Sequence, residues 1–294
     1  MAAARERAGL TTSNYTRLTR CNSMQMEWRN KTLPGIDFPI VDAHAHPYFN
    51  RDCPGAGPVD FDQYRQELEQ AGISVFCGSC NIRNDGTDAD IIRQENEHVL
   101  QWRQHFGSHF YPGCNIHPNF PDASMDAIRQ FHELGFRWLG EIAGYVQGYS
   151  EYATPEMLRI LELAGELGMV LNIHPSTYED VDRLLAAMPD LKVVIAHPGL
   201  WGCDASYALG EKHPNAYFDL SGTGLFRWHM LRWGIDRLGM GRILFGTDYP
   251  LVNPAMYVQG VLAEPLTYEE RKAVFYGNFA RLTNVLMRGS QPRR

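Results

Sequence analysis

The sequence lacks any long apolar run. Hydrophobic residues make up 44% of its 294 side chains, yet no stretch approaches the roughly 20 apolar residues that cross a bilayer. A chain of this length and composition can bury a full core. We therefore expect a globular protein with no membrane partner.

The sequence also lacks an excess of basic charge. Lys and Arg number 27 against 34 Asp and Glu, which gives a net charge of −7. Such a chain has no net positive field to attract nucleic acid or anionic lipid. A small-molecule substrate is the better expectation, and the charge does not favour a nucleic-acid partner.

Cysteine is sparse. The chain has six cysteines, without the spacing of a small secreted domain, which suits a reducing compartment and predicts a cytoplasmic location. Near the start of the chain there is no apolar core of signal-peptide length. We predict that residues 1–36 are a flexible N-terminal extension and that 37–294 form one catalytic domain.

From residue 36 onward, short apolar or β-branched runs alternate with segments whose apolar residues recur at helical spacing. The runs predict eight strands: 38–44, 73–80, 110–117, 137–143, 169–174, 191–197, 215–221 and 242–248. The segments predict helices over 61–72, 88–107, 124–135, 155–168, 177–188 and 266–286. This alternation predicts a single-domain α/β protein whose parallel strands close into a (β/α)8 TIM barrel. An open doubly wound sheet is the alternative, but its G-x-G-x-x-G turn is absent from the sequence.

Ionisable residues stand where the predicted strands end. In "IVDAHAHP" (40–47), Asp42, His44 and His46 alternate and therefore face one side of the first strand. Imidazoles and carboxylates at one barrel mouth suit Zn²⁺, with Mn²⁺, Fe²⁺ or Co²⁺ also tolerated. Asp42 lies one layer deeper and is predicted to support a ligand. The predicted metal ligands are His44, His46, Glu141, His174, His197 and Asp248.

Five motifs in this order resemble the amidohydrolase superfamily, and especially its amidohydrolase-2 branch. They are "VDAHAHP", "GEIAG", "NIHPS", "IAHPG" and "FGTDYP", and the resemblance covers about residues 38–286. It implies that the matching histidines and Asp248 bind one or two metal ions. Glu141 matches the position of a carboxylate that can bridge two ions.

The expected reaction is hydrolysis of a small-molecule ester, lactone or amide by a metal-activated water. Asp248 would accept the proton of the water and return it to the leaving group, while His197 or His117 would stabilise the oxyanion. The alternative within the same branch is a non-oxidative decarboxylase of an aromatic or enol acid, which uses one metal. Glu141 favours the hydrolase.

Two further alternatives stay open. His117, in "GCNIHP", is similar to a His-Pro of TatD-like nucleases, which implies a phosphodiesterase. The other alternative is a catalytically inactive barrel that only binds small molecules or partners. Against it, every expected metal-ligand position in the sequence is filled.

Substrate contacts are expected from the loops that follow the strands. Arg83 and Arg227 are predicted to hold a substrate carboxylate, and Tyr249 to line an aromatic substrate. The segment 47–61, rich in Gly and Pro, is predicted to form part of the pocket rim. Homo-oligomerisation is left open, because composition does not reveal the surfaces through which barrels associate.

Overall fold

Eight parallel strands lie side by side in chain order and form the barrel. The computed structural model describes residues 25–28, 33, 35–46 and 61–289. Its strands are β1 (Gln25–Trp28), β2 (Val41–Asp42), β3 (Val75–Gly78), β4 (Phe110–Pro112), β5 (Trp138–Ile142), β6 (Val170–Ile173), β7 (Lys192–Ile195), β8 (Ala216–Asp219), β9 (Ile243–Leu244) and β10 (Leu286–Gly289). The barrel consists of β2 to β9, which are the eight predicted strands, so the predicted fold class is confirmed.

Two isolated bridges complete the barrel between its two parallel sheets. One sheet has the order β2-β3-β4 and the other β5-β6-β7-β8-β9. Cys114, just beyond β4, pairs with Leu139 within β5, and Ala45, beyond β2, pairs with Tyr249, beyond β9. In the second bridge, Ala45 lies between His44 and His46 in the sequence, and its partner Tyr249 directly follows Asp248. Closure of the barrel therefore brings the segments after its first and last strands together at one position.

Helices pack around the strands. They are α1 (Phe61–Ala71), α2 (Asp90–Phe106), α3 (Pro121–Glu133), α4 (Pro155–Glu166), α5 (Tyr178–Ala187), α6 (Cys203–Lys212), α7 (Met230–Leu238), α8 (Pro254–Ala263), α9 (Tyr268–Lys272) and α10 (Asn278–Thr283). The helices α6, α7 and α8 were not predicted from the sequence. The last predicted helix is observed as α9 and α10 joined by a π-helical turn over Ala273–Gly277.

Local sequence explains where several helices begin. Thr154 caps α4 by accepting a hydrogen bond from the backbone N–H of Met157, and Pro155 follows it as the first helical residue. Thr267 and Glu270 form a reciprocal capping box at α9. These caps satisfy backbone N–H groups at the helix N-termini and set where the two helices begin.

Part of the predicted extension belongs to the fold. Residues 25–28 form β1, which pairs in parallel with β10 outside the barrel. The prediction of a flexible extension over 1–36 is therefore wrong for these four residues, because backbone pairing fixes them. Residues 1–24, and the predicted rim segment except for Phe61, lie outside the described residues. Among the described residues, no helix is both long and apolar enough to span a bilayer.

Candidate metal centre

Six predicted ligands lie together at the C-terminal mouth of the barrel. His44 and His46 follow β2, Glu141 is within β5, and His174 directly follows β6. His197 follows β7 and Asp248 follows β9. All are buried except His174, whose side chain is 24% exposed. Together these six residues form the ligand cluster: His44, His46, Glu141, His174, His197 and Asp248.

The carboxylate of Glu141 lies between two groups of imidazoles. Its Oε2 is 3.5 Å from His44 Nε2 and 3.4 Å from His46 Nε2. Its Oε1 is 3.1 Å from His174 Nδ1 and 3.2 Å from His197 Nε2. Each oxygen of one carboxylate therefore faces a different pair of histidines.

Asp248 joins the first of these groups. Its Oδ1 is 3.2 Å from His46 Nε2 and 3.6 Å from His44 Nε2, and the two Nε2 atoms are 3.3 Å apart. Donor atoms bound to one ion at about 2.1 Å lie roughly 3.0–3.5 Å from one another. The donor set therefore fits a divalent cation, since nitrogen and carboxylate donors converge at the spacing that coordination requires.

The donor atoms form more than one possible three-ligand group. His44 and His46 combine with Glu141, and the same carboxylate combines with His174 and His197. His44, His197 and Asp248 form a further group. One ion can take its ligands from several of these residues, and two ions can share Glu141.

The charges within the cluster explain its pKa shifts. Burial lowers the pKa of His46, but its hydrogen bonds to Asp248 and Glu141 outweigh burial and raise the pKa to about 9. Burial raises the pKa of Glu141, but His44 and the hydrogen bonds from His174 and His197 hold it well below its usual range. The carboxylates thus retain protons on His44, His46 and His197, and a divalent cation can take the place of that positive charge.

Two residues that sequence reasoning missed support the ligands from β8 and the loop after it. Asp219 Oδ2 is 3.1 Å from His44 Nδ1 and accepts a hydrogen bond of 2.9 Å from Asn172 Nδ2. Ser221 Oγ lies 3.1 Å from His44 Nδ1 and 3.0 Å from His197 Nδ1. Asp219 and Ser221 alternate at the end of the predicted strand "NAYFDLS". The parity rule applied to the first strand could have found them.

Asp42 supports the backbone of the ligand loops. Its Oδ1 accepts hydrogen bonds from the N–H groups of His44, at 3.1 Å, and Thr247, at 3.0 Å. Burial raises the pKa of Asp42 to about 7, although the hydrogen bond from the Thr247 side chain opposes this shift. Asp42 therefore holds together the loops that carry the first histidine pair and Asp248.

Strained backbone positions two of the ligands. His197 has φ 54° and Asp248 has φ 71°, in the left-handed region that L side chains rarely adopt. Gly222 lies against both residues: a Cβ there would be 2.6 Å from His197 Nδ1 and 3.4 Å from Asp248 Oδ2. Only glycine permits this close approach, so position 222 is predicted to be intolerant of substitution.

A cavity of about 240 Å³ opens onto the ligand cluster. Tyr145 forms part of its wall, with its ring centroid 4.6 Å from that of His174. The lining residues outside the cluster are Asn81, Ala143, Tyr145, Val146, Leu200, Gly222, Thr223 and Leu251. This wall is largely apolar, as expected for a small-molecule site.

Comparison with known proteins agrees with the fold. The sequence profile of the amidohydrolase family, Amidohydro_2, matches residues 41–283. The chain belongs to this family. A search of curated proteins finds no match.

Several solved structures have a barrel similar to that of this chain. The 5-carboxyvanillate decarboxylase from Sphingomonas paucimobilis has a TM-score of 0.67 at 17% identity, covering 84% of this chain and 99% of its own. The 2,6-dihydroxybenzoate decarboxylase from Rhizobium has a TM-score of 0.66 at 17% identity, covering 84% and 98%. A dihydroxybenzoic acid decarboxylase from Polaromonas, solved with manganese and 2-nitroresorcinol, has a TM-score of 0.66 at 16% identity, covering 84% and 97%. These likenesses show the fold.

His117 does not reach the ligand cluster of this amidohydrolase-family barrel. Its Nε2 donates to the backbone carbonyl of Gln147 at 2.9 Å, and its Nδ1 accepts from the N–H of Asn119 at 3.1 Å. It belongs to a separate buried set, named here the amide network: Glu95, Asn96, Asn115, His117 and Gln147. Its position favours neither a role in oxyanion stabilisation nor the phosphodiesterase function that its TatD-like motif implies.

The three predicted substrate contacts lie outside the described lining of the cavity. Arg83 and Arg227 are exposed, and the Arg227 guanidinium is 5.5 Å from the centroid of the Phe226 ring. Tyr249 is buried and its hydroxyl donates to Glu67. Contact of these residues with a substrate stays a prediction.

Proposed function

We propose that this protein is a metal-dependent hydrolase of a small-molecule ester, lactone or amide. The observation that carries the proposal is the position of Glu141, which turns one oxygen toward the histidines after β2 and the other toward His174 and His197. A shared carboxylate of this kind suits two cations, and paired cations are typical of hydrolytic sites. We propose Zn²⁺ as the physiological ion.

The charge of the site supports this interpretation. Glu141, Asp219 and Asp248 are buried carboxylates within or against the ligand cluster. Their charge of −3 leaves −1 with one divalent cation and +1 with two. Because uncompensated negative charge in a buried site is unfavourable, the site favours divalent cations, and its charge is compatible with one ion or with two.

Bound cations would supply a Lewis acid that polarises a carbonyl and lowers the pKa of water. Asp248 lines the cavity beside His46, which places its carboxylate to accept a proton and return it to the leaving group. Tyr145, Leu200 and Leu251 would exclude water around the substrate. The protein's part is to position these groups before the substrate binds.

The hydrogen bonds of His197 favour a ligand role over an oxyanion role. Ser221 donates its only hydroxyl proton to Asp219, so the Nδ1 of His197 must donate to Ser221 Oγ. In the neutral ring, Nε2 then carries the lone pair and faces Glu141 at 3.2 Å. We therefore place His197 among the metal ligands.

Non-oxidative decarboxylation is the second candidate. The similar structures named above are decarboxylases, and one holds manganese; by name they support this alternative better than hydrolysis. Among the described residues that line the cavity, no Lys or Arg is present to bind a substrate carboxylate. With one cation the site would also carry net negative charge toward an acidic substrate.

A paired assay separates the two candidates. Protein purified without chelator is analysed by plasma mass spectrometry for metal per chain, then loaded with Zn²⁺ or Mn²⁺. Each form is tested for hydrolysis of neutral esters, lactones and amides, and for CO₂ release from hydroxybenzoates. The control is the double variant His44→Ala/His46→Ala. Two ions and hydrolysis support the proposal; one ion with CO₂ release replaces it with the decarboxylase.

We also propose a cytoplasmic location. Its support is that the cysteines within the described residues, Cys77, Cys80, Cys114 and Cys203, are free thiols, as is usual in a reducing compartment. Cys77 and Cys80 are both buried, and burial raises the pKa of each thiol well above its ordinary range. Unreactive thiols of this kind suit a structural role for the segment "CGSC" (77–80), whose C-x-x-C spacing is otherwise found in redox and zinc sites.

A further inference from the structure

One fully buried hydroxyl contacts ligands from both sides of Glu141. Ser221 Oγ lies 3.1 Å from the Nδ1 of His44 and 3.0 Å from the Nδ1 of His197. It also donates a short hydrogen bond to Asp219 Oδ1. Ser221 and Asp219 are both 0% exposed, so bulk water does not compete for these contacts in the folded chain.

Counting donors and acceptors fixes the direction of each bond. A serine hydroxyl has one proton and two lone pairs, and a carboxylate only accepts. The Ser221 proton therefore goes to Asp219, and the lone pairs of Ser221 Oγ accept from the imidazole N–H groups. Asp219 Oδ2 accepts from the Nδ1 of His44 at 3.1 Å. His44 thus shares its Nδ1 proton between Asp219 and Ser221, whereas among the described residues the Nδ1 of His197 contacts Ser221 alone.

Both imidazoles are thereby fixed in the same tautomer. With a proton on each Nδ1, the Nε2 atoms carry the lone pairs that bind metal. The Nε2 of His44 faces Oε2 of Glu141 at 3.5 Å, and the Nε2 of His197 faces Oε1 at 3.2 Å. One hydroxyl behind the rings therefore orients a ligand on each side of the shared carboxylate.

We propose that Ser221 is a positioning residue that couples two cation positions. A cation bound by His44 fixes the Ser221 and Asp219 hydrogen bonds, so His197 is already oriented when a second cation binds. Because the ordering occurs only once, the two cations bind with positive cooperativity. The inference rests on the two-cation form of the proposed function and deepens it by describing how the site loads.

The test is a Zn²⁺ titration of the metal-free full chain against a competing chelator, together with the absorption spectrum of the Co²⁺ form. The variants are Ser221→Ala, Ser221→Thr as the conservative change, and Ser124→Ala as a matched control. Ser124 is also a buried serine, but its hydroxyl contacts the backbone of His117 away from the cluster.

We expect cooperative binding of two ions to the parent and the Ser124→Ala variant. Ser221→Ala should weaken both binding steps by about 10–100-fold, the usual effect of removing a hydrogen-bond partner of a metal ligand, and should abolish cooperativity. Its Co²⁺ spectrum should change, and Ser221→Thr should restore affinity and spectrum toward the parent. Circular dichroism checks that each variant is folded.

Three results would overturn the inference: unchanged affinities in Ser221→Ala, weakening of one step only, or a single ion in the parent. If Ser221→Ala does not fold, ¹⁵N spectra of the zinc-loaded parent decide. Protons on the Nδ1 of both His44 and His197 support the inference, and a proton on either Nε2 contradicts it. Hydrolysis by the loaded parent tests the proposed function separately, so either can fail alone.

Discussion

The ligand cluster and the amide network are both buried and polar, yet they shift the pKa values of the same residue types in opposite directions. Burial raises the pKa of Glu95 to about 8 although its hydrogen bonds oppose this shift, whereas the pKa of Glu141 lies well below its usual range. The pKa of His117 is lowered by burial, whereas that of His46 is raised to about 9.

The difference lies in the neighbours. Glu95 accepts hydrogen bonds from the backbone N–H of Ile82 at 2.7 Å and from Gln147 Nε2 at 3.0 Å, and these neutral groups satisfy it without a cation. Glu141 faces four imidazoles and lies beside Asp248. Burial of polar groups alone therefore does not indicate a metal site, whereas convergence of ionisable donors does.

The largest effect is expected from Glu141→Gln, which removes the charge shared by the two sides of the cluster. We expect metal content to fall and hydrolysis to drop by at least roughly 10³-fold, because a neutral amide cannot balance two cations. Plasma mass spectrometry and kinetic assays measure both effects. Full metal content and activity in this variant would contradict the bridging role.

Asp248→Asn should separate chemistry from binding. We expect turnover to fall by roughly 10²–10⁴-fold, with a smaller change in metal content, since Glu141 and the histidines still surround the site. Steady-state kinetics at saturating Zn²⁺ and metal analysis provide the comparison. A variant that retains its turnover would rule out Asp248 as the proton acceptor.

Metal removal should create a pH dependence that the loaded protein lacks. His46 has a folded pKa raised to about 9, so its contribution to stability is present below its ordinary pKa of about 6.5 and disappears as pH rises through 9. The metal-free protein should lose on the order of 3 kcal/mol of unfolding free energy across this window. In the loaded protein, the metal keeps the ring deprotonated.

Urea unfolding at several pH values, with and without chelator, measures this difference. The contribution of Glu95 is common to both forms and cancels in the comparison. Parallel pH curves for the two forms would show that His46 is not a metal ligand.

Glu95→Gln should have the smallest effect on the site. We expect unchanged metal content, because the hydrogen-bond partners of Glu95 among the described residues are neutral groups. Its raised folded pKa means that the parent loses stability as pH rises from about 4.5 to about 8. The variant lacks this titration, so its stability relative to the parent should rise from pH 5 to pH 9 in urea unfolding. Loss of metal would place Glu95 in the site.

The strand-end pattern could predict the ligands because a strand fixes side-chain direction up to its last paired residue. His174 directly follows β6, so its direction is set by the barrel. His117 lies five residues beyond β4, where the chain has already turned away, and its Pro-flanked motif looks the same in the sequence. Asp248 also lies beyond its strand, but its N–H donates to the carbonyl of His44 at 2.8 Å, a contact that no local pattern reveals.

Asp219 and Ser221 were missed for a different reason. Their strand end has no Pro directly after it, and Asp and Ser are common in loops. Only the closed barrel shows that they lie behind His44 and His197. The metal ligands could therefore be predicted from the local sequence pattern. The hydrogen bonds that set the tautomers of His44 and His197 could not, because they depend on which strands face one another.

The pairing of β1 with β10 also bears on how the protein can be handled. These strands lie outside the barrel, and β1 contacts the turn at Gly107–His109, which precedes β4 and so belongs to the face opposite the catalytic mouth. A fusion partner or a surface anchor joined beyond either strand would therefore be directed away from substrate entry. Immobilised protein attached in this way should present its open end to the solution.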